Sequence, residues 1–239
     1  MWSDIPDRRS SVDAVDAYAE AVTKKVLPLF DDLKAQGEEE DKSFREWLQG
    51  EWAEFDINDD MTFRCLNEAE DYHNTRQLLY FDAIPRLMLG LAMAGLYHLW
   101  EQLAKQIMYW ALRSPQTDHE SLSRQLSKAD FKALGKWLNR FTWNKDGTPF
   151  EGQPFYPGLK RLRLIANVVK HGRGTAASEL EAIAPELFNS NKNSPVQDPG
   201  SVDLMLAPEH FDAAVNAVRG FFEALPAKLA RDQLPWYDR

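Results

Sequence analysis

Arg163, Asn167 and His171 recur at intervals of four within PGLKRLRLIANVVKHGRG, residues 157–174. On a helix that interval stacks their side chains along one face. Lys160 and Lys170 fall in the same arc, about 100° wide at the helical period. This set of residue types suits phosphodiester chemistry on RNA without a metal. A histidine can take or give a proton near neutral pH. An arginine can hold phosphate oxygens bidentately as charge builds on them. An asparagine can position a ribose or phosphate oxygen. RNA supplies its own nucleophile, the 2′-hydroxyl. The same stripe has a structural reading. Asn and His can bond neighbouring helix ends while Lys and Arg snorkel to water.

The element that must carry these residues is an apolar helix. Leu162, Leu164, Ile165, Ala166, Val168 and Val169 fill most of its circumference, so its narrow polar stripe must line a cleft or meet a partner. Gly172 and Gly174 end it, since glycine takes the left-handed conformation at a helix C-terminus readily. From Gly152 to Ser178 there is no acidic residue, although the formal net charge of the chain is −9. Arg173 extends the local excess of positive charge, and screening confines such a site to about 8–10 Å.

Other constellations are weaker. Glu70 and His73 form a Glu-x-x-His pair, the spacing used in di-iron bundles, which need a second such pair and two further glutamates. His98, His119, His171 and His210 each lack a glutamate three residues earlier, so no metal is expected. His98 lies in an apolar run and reads as a hydrogen-bonded core histidine. Glu101 closes that run. It either marks the solvent boundary or pairs with Arg163 or His171 in the cleft. There is no Gly-x-Ser-x-Gly elbow, no phosphate-binding glycine loop and no cysteine–histidine signature. Cys65 reads as a small buried residue, and as the one cysteine it excludes an internal disulfide.

Composition bounds the class. The 239 residues are 44% hydrophobic and 12% aromatic, enough for a folded core. The acidic balance argues against a general nucleic-acid coat and against binding to anionic membranes. The N-terminus lacks a basic start followed by an apolar core. The longest uncharged apolar run, Leu87 to Trp100, has 14 residues, short of the roughly 20 that span a bilayer, and reads as a core helix. A cytoplasmic protein with no cofactor is the expectation.

Periodicity predicts helices over 11–34 (kinked or ended by Pro28), 61–80 (broken near Pro85), 84–113, 128–141 and 208–225. Ser43-x-x-Glu46 and Ser178-x-x-Glu181 are capping boxes that open short helices. The acidic run 38–41 reads as a solvated loop. Residues 189–201 read as a polar linker and 202–206 as extended. Gly90 and Gly95 suggest close approach by another helix. The chain is all-α, with an N-terminal helical extension over 1–60 and a main helical domain over 61–239.

LRLIANVVKHGRGTAASELEAIAPELF (162–188) resembles the C-terminal motif helix of the HEPN-like family (higher eukaryotes and prokaryotes nucleotide-binding). PRLMLGLAMAGLYHLWEQLAKQ (85–106) resembles the family's first core helix, and APEHFDAAVNAVRGFFEAL (207–225) the closing helix of bacterial members. The resemblance covers roughly residues 80–225. It implies a HEPN-like helical bundle with additional N-terminal helices, acting as a homodimer whose two motif helices meet in one cleft. Many members are metal-independent endoribonucleases of toxin–antitoxin or phage-defence systems. Others are non-catalytic interaction modules, such as antitoxin-like or defence-associated partners. By position, His171 would be the general acid/base, Asn167 its polar partner and Arg163 the phosphate-stabilising arginine. Lys160, Lys170 and Arg173 would bind RNA, with Glu101 in support. The family usually leaves four to six residues between Arg and His. Here seven separate Arg163 from His171, and Lys170 is placed to supply the positive charge.

Overall fold

The computed structural model describes residues 8–54, 60–113, 117–139, 148–188 and 204–225. Among them the protein is all-α with no strand. A single antiparallel bridge joins Phe188 to Leu204.

Two long helical runs frame the molecule. α1 (Arg8–Ala21), a π-helical turn at Val22–Val26 and α2 (Leu27–Glu54) form the first. α3 (Asp60–Arg76), a π-helical stretch at Gln77–Ala83 and α4 (Ile84–Leu112) form the second. In both, a proline stands second in the α-helix after the π turn: Pro28 in α2 and Pro85 in α4. Proline has no N–H, and its ring crowds the carbonyl four residues earlier. Those carbonyls belong to Lys24 and Phe81, which lie in the widened turns, where the crowding is relieved. The helical runs therefore continue through both prolines and do not end there. The run 38–41 is likewise helical, inside α2, rather than a loop. Its charges are used: Asp41 accepts from Arg45 at 2.7 Å, and Arg76 of α3 meets Glu40 at 3.1 Å.

α5 (His119–Lys128) and α6 (Phe131–Leu138) follow. The sequence predicted one helix over 128–141; extended Ala129 separates the two instead. Each is opened by an aspartate: Asp118 accepts the N–H of Ser121 at 3.2 Å, and Asp130 that of Ala133 at 2.7 Å. α7 (Tyr156–His171), α8 (Thr175–Ile183) and α9 (Pro208–Ala224) complete the order. α8 starts before Ser178, so the predicted capping box is not its N-terminus. The predicted 189–201 linker lies outside the described residues.

The core forms where α4, α7 and α9 meet, with α1 closing one side. Trp100, Phe150, Phe211, Phe221 and Phe222 are fully buried, each worth about 1.5–3 kcal/mol on apolar burial. The Trp100 and Phe221 rings meet edge-on at 5.5 Å. Close approach occurs where small residues allow it. A Cβ on Gly90 would lie 2.9 Å from Val169 of α7, and one on Gly158 would lie 2.5 Å from the Ala217 Cβ of α9. Gly95 faces the Tyr18 hydroxyl of α1, which donates to the Ala92 carbonyl at 2.8 Å. Asp16 of α1 also accepts from Arg219 of α9.

α2 and α3 pair outside this core, so the boundary drawn at residue 60 falls between two helices that pack on each other. Little of the pair is buried: Trp47, Met61, Phe63 and Tyr72 are exposed. Cys65 is exposed too, contrary to its reading as a buried residue, because α3 has no core to face there. The run Met61–Leu112 is long and apolar enough to cross a membrane by length and composition. Its Leu89, Met93, Leu96 and Trp100 are buried in the core.

Candidate nucleic-acid interface

Pro157 near the start of α7 and Gly172 at its end set its limits. Gly172 takes φ 67°, which a side chain disfavours, and its N–H bonds the Val168 carbonyl at 2.8 Å. Leu159, Leu162, Leu164, Ile165, Ala166 and Val168 are buried. Arg163 and Asn167 are half-buried, while Lys170, His171 and Arg173 are exposed.

Arg163 is engaged. Its Nη2 donates to Glu179 Oε2 of α8 at 3.1 Å, and its guanidinium carbon lies 5.2 Å from the Phe131 ring centroid. Its Nε is buried without a hydrogen-bond partner among the described residues. Asn167 makes no side-chain hydrogen bond among the described residues. At about 1.5 Å of rise per residue, Arg163 stands roughly 12 Å along the axis from His171. Asn167, Lys170 and His171 are close neighbours at i, i+3 and i+4. One helix therefore gathers three of the named side chains at its C-terminal end and leaves Arg163 a further turn away.

Glu101 pairs with neither Arg163 nor His171. It accepts from Lys105 at 3.0 Å and faces His98 across 3.8 Å, both on its own helix. The partner of Arg163 is Glu179, which arrives only because the chain turns at 172–174 to lay α8 on α7. His98, read as a core histidine, is 69% exposed, since it lies on the solvent side of α4. Lys160 lines a separate groove with Arg161 and His210. His73 is buried, stacks on Phe44 at 3.9 Å and meets Asp41 at 3.1 Å. Arg45, and then His73, hold the Asp41 carboxyl below its usual range. Among the described residues no three His, Cys, Asp or Glu side chains gather as a metal site.

Two tyrosines beside Arg163 escaped the sequence reading. The Tyr97 phenol is pushed up, first by burial and then by the Glu101 carboxylate, with Arg163 acting the other way. The Tyr156 phenol is raised by burial and by Glu151, again opposed by Arg163. The spacing of Tyr97 four residues before Glu101 was the available signal.

α4 runs antiparallel to α7, since Gly90 faces Val169 while Tyr97 lies in the field of Arg163. Ala92 and Gly95 face α1. Leu87, Leu91 and His98 fall between these directions and point to solvent, with Leu87 55% and Leu91 54% exposed. On α7, Gly158 faces α9, and the Arg163/Asn167/His171 stripe turns away from it. The apolar face of α4 and the polar stripe of α7 thus share the side of the molecule opposite α9.

No family model, no curated protein and no solved structure matches the chain.

Proposed function

We propose that this protein is a HEPN-like RNA-binding protein that acts as a homodimer and cleaves RNA without a metal. The observation that carries the reading is the exposed, cationic end of α7, where Asn167, Lys170 and His171 sit beside one another on an acid-free helix. The exposed Leu87 and Leu91 beside them supply an apolar surface for a second copy. A second copy would also bring a second histidine to the scissile phosphate, which one helix cannot supply. In the reaction, His171 takes the proton of the 2′-hydroxyl and the 2′-oxygen bonds to phosphorus. The bond from phosphorus to the 5′-oxygen breaks, and the other copy's histidine protonates that oxygen. The products are a 2′,3′-cyclic phosphate and a 5′-hydroxyl. A cytoplasmic toxin–antitoxin or phage-defence setting, with a cognate partner protein, fits such an activity.

A second reading is a non-catalytic interaction module, and the Arg163–Glu179 pair favours it, because that arginine is already neutralised. End-labelled structured and unstructured RNAs incubated in EDTA separate the two readings. Cleavage by the wild type that is lost in His171→Ala and reduced in Arg163→Ala supports the ribonuclease. An intact substrate, together with RNA binding that ignores salt, leaves the interaction module, since phosphate contacts weaken steeply as salt rises.

A further inference from the structure

On the α9 side of α7 lies a groove of about 460 Å³. That is the size of a site for a small organic ligand. Its floor is apolar, formed by Met93, Leu162, Ile165 and Ala214. Its polar wall is formed by Lys160, Arg161 and His210, brought together from α7 and α9. No carboxylate among the described residues pairs with Lys160. Arg161 gives one terminal nitrogen to Glu186, while its Nε is buried with no hydrogen-bond partner among the described residues. His210 uses Nδ1 to accept the Ala207 N–H at 2.9 Å, so the neutral ring carries its proton on Nε2 as a further donor. Three donor side chains thus stand above an apolar floor, with the Tyr156 hydroxyl also on the lining and Glu186 at the edge.

We propose that this groove binds a small amphipathic anion, with a phosphate or carboxylate head held by Lys160, Arg161 and His210 and an apolar body on Met93, Leu162 and Ile165. Glu186 is its built-in competitor, because it occupies the terminal nitrogen of Arg161 that the anion would use. The site lies toward the N-terminal end of α7, with Lys160 about 15 Å along the axis from Lys170, and does not depend on the RNA reading.

Isothermal titration of the full chain with octyl phosphate, octanoate and 1-octanol tests the proposal. Both anions, or the phosphate alone, bind at least tenfold tighter than the alcohol; the ratio of the two anions identifies the head group. Arg161→Gln with Lys160→Met lowers anion affinity tenfold or more. Glu186→Gln raises it several-fold, a gain that misfolding cannot imitate. Ala213→Trp, at an exposed position on the wall, blocks binding by all three probes. Equal binding of the alcohol and the anions, no binding of either anion, or affinity unchanged in both charge variants overturns the proposal.

Discussion

Arg163 ties α7 to α8 through Glu179 at 3.1 Å and covers the Phe131 ring of α6 at 5.2 Å. The side chain is 25% exposed and that of Glu179 47%, so the ion pair is screened and worth under about 1 kcal/mol. The cation–π contact adds about 0.5–1 kcal/mol. Arg163→Gln is therefore expected to cost about 1 kcal/mol and to lower Tm by roughly 2–4 °C in calorimetry. Glu179→Gln should cost less and should tighten RNA binding, since it frees a cation on the proposed surface. An unchanged Tm in Arg163→Gln would show that the clasp carries no load.

At the α7–α9 crossing, Gly158→Ala would put a methyl group 2.5 Å from the Ala217 Cβ. Neither atom can swing aside, so the helices must separate. Overpacking of this kind costs about 1–3 kcal/mol. The gain in helix propensity, at most about 1 kcal/mol, offsets only part of it. Urea denaturation should show a lower midpoint for Gly158→Ala and recovery in Gly158→Ala/Ala217→Gly. Full stability in the single variant would contradict the crossing.

Alkaline pH probes the polar layer beside Arg163. The Tyr97 phenol is raised in the folded protein, so the fold holds its proton more tightly than the unfolded chain does. The resulting stability is complete below the ordinary tyrosine value of about 10 and is lost as pH climbs from there toward the folded value. Tyr97→Phe should flatten the fall in Tm between about pH 10 and 12. Arg163→Gln should delay Tyr97 ionisation, read by absorbance near the phenolate band, because it removes the positive charge that opposes the rise. Identical alkaline limbs in wild type and Tyr97→Phe would remove Tyr97 from the account.

Leu91→Glu places a charge in the exposed apolar face of α4. If that face joins two copies, light scattering after size exclusion should show the wild type at twice the chain mass and the variant at the chain mass. RNA cleavage should fall with the dimer, while the variant's helical circular dichroism stays unchanged. A monomeric wild type that cleaves RNA would place the complete site within one copy.

The helices that carry the site were legible because their patterns are local. α7 announces itself by an apolar surround with a narrow polar stripe between Pro157 and Gly172. α4 and α9 do so by long apolar periodicity and, for α9, by Pro208 in its first turn. α5 was missed because its buried side is only Leu122 and Leu126, although Asp118 gave an N-cap signal. The acidic run 38–41 conceals a helix because its charge density is that of a loop, while the helical signal is the single spacing of four between Asp41 and Arg45. What no local pattern holds is a partner across a turn. Glu101 closes an apolar helix and so resembles a partner for Arg163, but the fold of α8 on α7 brings Glu179 to it instead.

The two π turns act as phase shifters. A π turn carries extra residues for the rotation it makes, so it resets the angular bookkeeping of everything beyond it. Upstream of one reset, α1 turns Val15 and Tyr18 into the core, and downstream α2 reaches it only through Leu27 and Phe30 in its first turn. The second run reverses the order, with α3 outside and α4 inside. Each reset is locked by the proline two residues beyond it, which an ordinary α-helical turn would exclude. Deleting one residue from Gln77–Ala83 would turn α3 by about 100° relative to α4. The exposed Phe63, Tyr72 and the buried His73 would then trade directions without any change in the core. The two halves of each long helix are thus indexed separately: one half answers to the core, and the other can be re-aimed.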